Sequence, residues 1–422
     1  MKYLDVVVEN KSRHTDSFFT YRAPDETELR IGDKVWVPFG RGDKTKAGFV
    51  FAFPEHISCP EQKIKEIEGV DAAGSLNREM MKTAAWMKQR YAITYSDAIS
   101  CFCVKGKPPR EGKAKEPYKD LPGRDERPAA LTEEQTASAE RINEAIAASR
   151  HEIFLLHGVT ASGKTEVYME AIDKCLKLDK TAIMLVPEIA LTNQIMEHFI
   201  GRFGKDRLAV MHSKLTPRER YDEWHRIRSG RARIVIGARM GVFAPAENIG
   251  LIIMDEEHEA TYKSDMTPKY DTVEVAAKRL QTTGGVLLLG SATPSVVSYE
   301  RAKEGIYQLL TLKQRYNRNP LPRVEIVDMR EELRAGNTNI FSRRLYTAIE
   351  ETLKKGQQVI LFQNRRGYSN FVSCRACGAV MTCPECDLSL VYHKKEHAMI
   401  CHYCGRQFPL PETCPVCGSR YL

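Results

Sequence analysis

The sequence predicts a multidomain chain: a small N-terminal β domain, an α/β domain on a parallel sheet, the start of a second α/β lobe, and a cysteine-rich metal-binding insertion. Three observations predict it. Short runs of β-branched and aromatic residues fill roughly the first 70 positions. From Leu131 onward, apolar strands alternate with helical stretches, the pattern of a parallel sheet covered on both faces. Eight of the 12 cysteines fall between Cys374 and Cys417 as tight C-x-x-C pairs. A chain of 422 residues fits about three domains at roughly 150 residues each.

The β domain rests on Val6–Val8, Phe18–Tyr21, Asp33–Val37 and Ala47–Phe53, punctuated by Gly32, Pro38-Phe39-Gly40 and Gly42, and reads as a small barrel or sandwich. Residues 76–97 read as one helix, with Met80, Met81, Ala84, Ala85, Met87 and Tyr91 near helical spacing and facing a core. This N-terminal domain spans 1–103. Residues 104–128, rich in proline, glycine and charge, read as a solvated linker. In the α/β domain, 129–320, a helix over about 132–148 leads to strand Ile153–Leu156, a glycine-rich turn and a helix over about 164–176. Strand Thr181–Val186, a helix over 190–203, and strands Ile234–Ile236, Leu251–Met254 and Val286–Leu289 follow. Residues 321–373 read as the start of a second lobe, with strand Val324–Val327, a helix over 343–355 and strand Gln358–Phe362. The cysteine module spans 374–422.

Composition removes several classes. A hydrophobic fraction of 42% supports a sizeable core and excludes a wholly disordered chain. The longest apolar runs, Val286–Leu289 and Leu251–Met254, fall far short of the roughly 20 residues a membrane helix needs, so no membrane is expected. The opening segment, with Asp5 and a three-valine run, does not read as a secretory leader. C-x-x-C pairs without such a leader suit bound metal in a reducing cytoplasm better than a disulfide framework. Sixty-three basic against 55 acidic residues give +8, a mild excess compatible with a polyanionic partner.

Gly158-Val159-Thr160-Ala161-Ser162-Gly163-Lys164-Thr165 matches G-x-x-x-x-G-K-[ST], after a strand and before a helix. Gly158 and Gly163 let backbone N–H groups converge on phosphate oxygens at a helix N-terminus. Lys164 can reach the β and γ phosphates of ATP, and Thr165 offers a hydroxyl to Mg²⁺. Asp255-Glu256-Glu257-His258 follows strand Leu251–Met254, where a parallel sheet opens onto a nucleotide crevice. Asp255 is placed to hold Mg²⁺ and Glu256 to orient the attacking water, which makes Lys164, Asp255 and Glu256 the catalytic candidates. Strand Val286–Leu289 runs into Gly290-Ser291-Ala292-Thr293, whose hydroxyls could couple the nucleotide site to a second site.

The cysteine pairs are Cys374/Cys377, Cys383/Cys386, Cys401/Cys404 and Cys414/Cys417. Eight thiolates make two structural Cys₄ sites and call for two Zn²⁺. The second and third pairs are 14 residues apart and the first and second only five. This spacing favours a nested arrangement, the middle pairs on one ion and the outer pairs on the other. His393, His397 and His402 read as surface residues.

The phosphate loop, DEEH and SAT in this order resemble a superfamily-2 helicase motor with a RecA-like lobe. Gln135 resembles the upstream glutamine that reads adenine in many such motors. A cysteine module early in the second lobe, together with 158–168, 186–192, 237–239, 243–245, 255–265, 290–295, Asn364–Tyr368 and the barrel segment Gly32–Arg41, resembles the PriA family of replication-restart helicases. That resemblance implies an ATP-driven 3′→5′ DNA helicase that recognises stalled forks and starts reloading of the replicative helicase. It implies contacts with forked and single-stranded DNA, other primosome proteins, the helicase loader and single-strand binding protein. It would place DNA contacts at Phe19, Tyr21, Gly40, Arg41, Pro187, Thr192, Arg239, Tyr262, Lys263, Lys269 and Tyr270. The aromatic and basic residues after DEEH suit base stacking and phosphate contact. The sequence departs from the family at Thr20, where an acid is usual, and has the short linker where a winged-helix domain is expected. The resemblance also predicts a C-terminally shortened chain whose 422 residues bind DNA but do not unwind it. Two other readings fit the motifs: a non-catalytic zinc-ribbon scaffold with a relic nucleotide site, and another superfamily-2 translocase or RNA helicase.

Overall fold

Alternation in the first strands builds a barrel. Strands β1 (Lys2–Val8), β2 (Phe18–Ala23), β3 (Lys34–Phe39), β4 (Lys44–Ala52), β5 (Lys65–Glu66) and β6 (Gly69–Asp71) form one sheet in the order β5-β2-β1-β4-β3-β6. Inward positions Leu4, Val6, Val8, Tyr21, Val35, Val37 and Val50 make its core. Its outermost strands are consecutive in the chain: Ile67 N–H donates to Arg22 O and Glu68 N–H to Trp36 O, so the sheet curls until its ends meet. The structure, a computed structural model, describes all residues except 1, 11, 58, 105–116, 119, 126, 129, 188–192, 321, 363–370, 395 and 422. Its two compact units are Met1–Pro320 and Leu321–Leu422.

The helix expected over 76–97 is two helices, α1 (Arg78–Tyr91) and α2 (Tyr95–Ser100). Ala92 turns left-handed at φ 51°, and the Thr94 side chain caps α2 by accepting from Asp97 N–H. Asn77 caps α1 by accepting from Met80 N–H at 2.9 Å. The buried face of α1, with Met80, Met81, Ala84 and Met87, packs in one core with Phe49 of the barrel and with Phe243, Ala276 and Leu280 of the α/β domain.

That domain runs α3 (Glu133–Ala147), β7 (Ile153–Gly158), α4 (Lys164–Lys177), β8 (Thr181–Leu185), α5 (Asn193–Phe203), β9 (Leu208–Met211), α6 (Pro217–Arg228), β10 (Ile234–Gly237), β11 (Ile249–Asp255), α7 (Thr272–Thr283), β12 (Val286–Ser291), α8 (Val296–Lys303) and β13 (Gln308–Leu312). All seven strands pair parallel, in the order β13-β7-β12-β11-β8-β10-β9. Burial on both faces explains the unbroken apolar runs. Leu155, Ile183, Ile252 and Leu287 face one core, and Leu156, Met184, Ile253 and Leu288 face the other. The short strand β9 and the edge strand β13, with Gln308 and Leu309 exposed, carry too weak a pattern to be read from sequence.

Part of the expected linker lies on this domain instead of in solvent. Leu121 and Tyr118 pack against the core beside Ile200, Arg124 N–H donates to Glu197 O at 2.9 Å, and the Arg124 side chain pairs with Glu197. Gly123 and Gly201 permit the approach, since a Cβ on Gly123 would sit 3.0 Å from Gly201 Cα.

In the second unit, α9 (Met329–Arg334) and α10 (Arg343–Lys354) form, the latter where a helix was expected. The expected strands 324–327 and 358–362 do not. No described strand lies beside them to take their hydrogen bonds, and Ile326 and Ile360 are more than 90% exposed. The cysteine module folds on β14 (Val391–His393), β15 (Ala398–Ile400) and β16 (Gln407–Pro409), an antiparallel meander. No helix among the described residues is long and apolar enough to cross a membrane.

Removing the α1 cap is the simplest test of this mounting. Asn77→Ala should lower unfolding free energy by about 1 kcal/mol in urea melts, the usual worth of an N-cap. A variant as stable as the parent would show that α1 is held by packing alone.

Candidate functional site

Register decides what meets at the sheet's C-terminal edge. Asp255 on β11 lies opposite Gly290 on β12, and Ser291 lies opposite His157 on β7. The phosphate loop and the DEEH segment therefore flank the SAT segment on one edge.

The loop is a cradle. Ala161 and Gly163 take left-handed φ of 63° and 79°, and a Cβ on Gly158 would come within 2.5 Å of Ser162 Oγ. Ser162 Oγ is buried and has no hydrogen-bond partner, an orphan that a phosphate oxygen fits. Lys164 Nζ donates to Gly158 O at 3.1 Å, across the mouth of the loop, and Thr165 is exposed at the start of α4. The loop thus fits a nucleotide phosphate.

Gln135 does not present its amide as an adenine reader here. It is buried; Oε1 accepts from Thr132 N–H at 2.8 Å and Nε2 donates to Ser162 O at 2.9 Å. Its side chain closes the capping box of α3 and braces the phosphate loop.

Asp255 is largely buried, and that burial raises its carboxyl above the ordinary value; a hydrogen bond from Tyr168 and the charge of Lys164 act in the opposite direction. A divalent cation would favour the charged form further, so the site fits Mg²⁺. Tyr168 is fully buried, burial holds its hydroxyl protonated, and it donates to Asp255 Oδ1 at 2.9 Å. A Cβ on Gly290 would run into that hydroxyl. Glu256 stands at φ 47°, a strained conformation for a side-chain-bearing residue, with its carboxylate part-exposed and 3.6 Å from His258 Nδ1. Glu257 turns away and is buried. It accepts from Ser295 N–H at 2.6 Å, Ser295 Oγ at 3.2 Å and Ser298 Oγ at 2.9 Å, while His258 Nδ1 meets Ser291 Oγ at 2.8 Å. DEEH is thereby clipped to the SAT strand and to α8. Sequence reading missed Tyr168 and Glu257 as site residues; the only signal was their place inside two motifs.

The residues expected to meet DNA separate into two groups. Lys263 and Lys269 are exposed and Arg239 is half-buried; Arg239 Nη1 donates to Thr261 O at 3.0 Å and Lys263 O at 2.6 Å. Tyr262 and Tyr270 are buried at 3% and 4% exposure, so neither can stack a base in this state. Tyr262 Oη donates within 3.0 Å of Leu185 O and 2.7 Å of Asp255 O, tying the end of β8 to the Asp255 backbone. The Tyr270 ring packs on Phe243, its hydroxyl pushed up to about 12 by burial. Pro187 is buried; Thr192 and Asn364–Tyr368 lie outside the described residues.

On the barrel, Phe19 packs edge-on against Phe39 at 5.0 Å, and Tyr21 Oη donates to Pro38 O at 3.1 Å. Phe19, Gly40 and Arg41 therefore gather at one end, Gly40 at φ 85° and Arg41 exposed. Tyr21 points into the barrel, and burial pushes its hydroxyl up to about 12. Thr20, at the position where an acid was expected, donates to Asp5 Oδ1 at 2.8 Å across the strand pair.

The eight thiols form two clusters, Cys374/Cys377/Cys414/Cys417 and Cys383/Cys386/Cys401/Cys404, the nested arrangement the spacing favoured. Sulfur pairs stand 3.6, 3.7 and 3.8 Å apart at Cys374–Cys417, Cys377–Cys414 and Cys383–Cys404. Thiolates about 2.3 Å from a tetrahedral zinc sit about 3.8 Å from one another, so the spacing fits that metal. Each pair is a knuckle whose next residue is left-handed: Gly378, Asp387, Gly405 and Gly418. In each, that residue's N–H donates at 2.8 Å to the carbonyl of the pair's first cysteine. His393 and His402 stack on each other at 5.0 Å, outside both clusters.

Tyr168→Phe should weaken binding of a Mg²⁺–ATP analogue about tenfold or more in a fluorescence titration, because a hydrogen bond to a buried carboxylate contributes about 1.5–3 kcal/mol. Unchanged affinity would mean that Asp255 needs no orientation.

Comparison with known proteins agrees with this geometry. Residues 5–103 match the PriA 3′DNA-binding domain, 134–302 the DEAD/DEAH box helicase domain, and 383–409 the Cys-rich region of PriA DNA helicase. The chain is 49% identical to the replication restart protein PriA of Bacillus subtilis, over 78% of its own residues and 41% of that protein's. It is 38% identical to the Treponema pallidum PriA, over 96% of its own residues and 61% of that protein's. The chain thus spans about half the length of these curated relatives. With a 3′DNA-binding barrel, a helicase lobe and a cysteine-rich region in this order, the chain belongs to the PriA family of replication restart proteins.

Proposed function

We propose that this chain is the DNA-gripping and ATP-binding part of a 3′→5′ DNA helicase of replication restart. In this reading it acts in the cytoplasm on forked and single-stranded DNA, beside single-strand binding protein, other primosome proteins and the loader of the replicative helicase. The observation that supports it most is the single sheet edge shared by the phosphate loop, DEEH and SAT, within the same compact unit as the barrel.

On this reading Lys164 exchanges Gly158 O for phosphate oxygens, and the orphan Ser162 hydroxyl and the loop N–H groups complete the cradle. Thr165 and Asp255 hold Mg²⁺, which supplies charge neutralisation on the phosphates. Glu256, part-exposed and beside His258, orients the attacking water. Glu257 and His258 pass any shift of that segment to Ser295, Ser298 and Ser291. Arg239, Lys263 and Lys269 meet the strand's phosphates, and Phe19, Gly40 and Arg41 meet a strand end at the barrel. The zinc module is structural: two closed Cys₄ shells leave no open ligand position.

Lys164→Ala in the full-length protein should abolish DNA-stimulated ATP hydrolysis. Glu256→Gln should keep nucleotide binding and lose turnover, while both variants still bind forked DNA. Near-normal hydrolysis by Glu256→Gln would remove it as the water-orienting group. Elemental analysis of reduced protein should give about two zinc per chain, and Cys383→Ser about one. Iron in place of zinc, or a single zinc in the parent, would contradict the two-shell reading.

A further inference from the structure

The most buried charge in the first unit lies between the barrel domain and the helicase lobe. Arg279, on α7, is 0% exposed. Its Nε and Nη2 donate to the two oxygens of Glu79 on α1 at 3.0 and 2.8 Å, and its Nη1 donates to Val242 O at 2.6 Å and Ala244 O at 2.9 Å. Four of the five guanidinium N–H donors are thus directed at partners. The guanidinium also lies over the Phe102 ring at 5.3 Å. Glu79 and Phe102 belong to the segment matched as 3′DNA-binding domain, and Arg279, Val242 and Ala244 to the segment matched as helicase.

The two carbonyls that Arg279 holds belong to a 3₁₀ turn, Arg239–Phe243, and the residue that ends it. From there the contacts continue without a gap. Phe102 packs edge-on against Phe243 at 5.2 Å, and Phe243 against Tyr270 at 4.9 Å. Arg239, at the head of the turn, lies over the Tyr270 ring and donates to the carbonyls of Thr261 and Lys263. Tyr262, between those two residues, donates to the backbone carbonyl of Asp255.

A buried ion pair is a poor way to gain stability, because an apolar pair of similar volume often does as well or better. An ion pair that also fixes two backbone carbonyls of a neighbouring turn sets geometry. We infer that Arg279, clamped to Glu79, is a positioning residue that couples DNA held on the barrel domain to the strand-facing turn Arg239–Phe243 and, through Tyr262, to the nucleotide site. The inference rests on the helicase reading above and adds a named coupling element to it.

Coupling between two ligands is measured as a change in one dissociation constant when the other ligand is present. The test uses the 422-residue chain, a fluorescent ADP analogue with Mg²⁺, and a saturating single-stranded oligonucleotide with a free 3′ end. In the parent, the oligonucleotide should shift the analogue's dissociation constant by about fivefold or more. The paired variant Glu79→Leu/Arg279→Met leaves no unpaired buried charge but strips the donor from Val242 O and Ala244 O, so it should melt below the parent while remaining folded. It should bind both ligands, with the shift reduced to near unity. Arg279→Lys keeps the charge but replaces the planar fork that spans Glu79 and the two carbonyls with a single nitrogen, so it should give a reduced shift. A folded paired variant with the parent's full shift would overturn the inference and leave the helicase reading standing. So would a parent that binds both ligands independently. A parent that binds neither ligand would overturn both. If the paired variant does not fold, Arg279→Lys decides alone: a full parental shift overturns the inference.

Discussion

Parallel pairing of β7, β12, β11 and β8 is the constraint on which the rest of this structure depends. A parallel sheet brings every strand's C-terminal end to one edge. Here the order of four neighbouring strands brings to that edge the phosphate loop, SAT, DEEH and the segment that starts at Val186. These motifs are separated by up to about 130 residues in sequence, yet each lies one strand spacing from the next along the edge. Their side chains can act on one nucleotide because the backbone ladder fixes their register.

Buried hydrogen bonds convert that proximity into a defined site. Tyr168 holds the Asp255 carboxylate, Tyr262 holds its backbone carbonyl, and Glu257 ties the next turn to α8. Each buried donor or acceptor would be expensive to leave unmatched, so the loops around the sheet edge have few alternative arrangements. Gln135 does the same for the phosphate loop from α3. The cysteine module reaches fixed geometry by another route, with four knuckles and two thiol clusters in place of a large core.

What could be read from sequence follows from this division. The phosphate loop, DEEH, SAT and the C-x-x-C pairs are local patterns, and spacing alone places them on strand ends and knuckles. The roles of Tyr168, Glu257 and Arg279 depend on what lies across from them in space; for the first two the local sequence offers only membership of a motif, and for Arg279 not even that. Tyr262 and Tyr270 illustrate the reverse error. Aromatic residues among lysines look like a stacking surface, yet their hydroxyls and rings serve the interior and only the cations reach solvent. Gln135 read as a base contact because its position in front of the phosphate loop fits; the amide instead caps a helix and braces the loop. Strands at 324–327 and 358–362 looked plausible by apolar content, but a strand forms only where a neighbour accepts its hydrogen bonds.

The central claim is that the sheet edge between β7 and β11 is an ATP site with Lys164 poised at its mouth. A crystal structure of the chain with Mg²⁺ and a non-hydrolysable ATP analogue tests it most directly. The account predicts triphosphate density wrapped by residues 158–165, Lys164 Nζ moved from Gly158 O onto phosphate oxygens, and the metal between Thr165 and Asp255. Nucleotide density elsewhere, or a bound triphosphate with Lys164 still on Gly158 O, would contradict it.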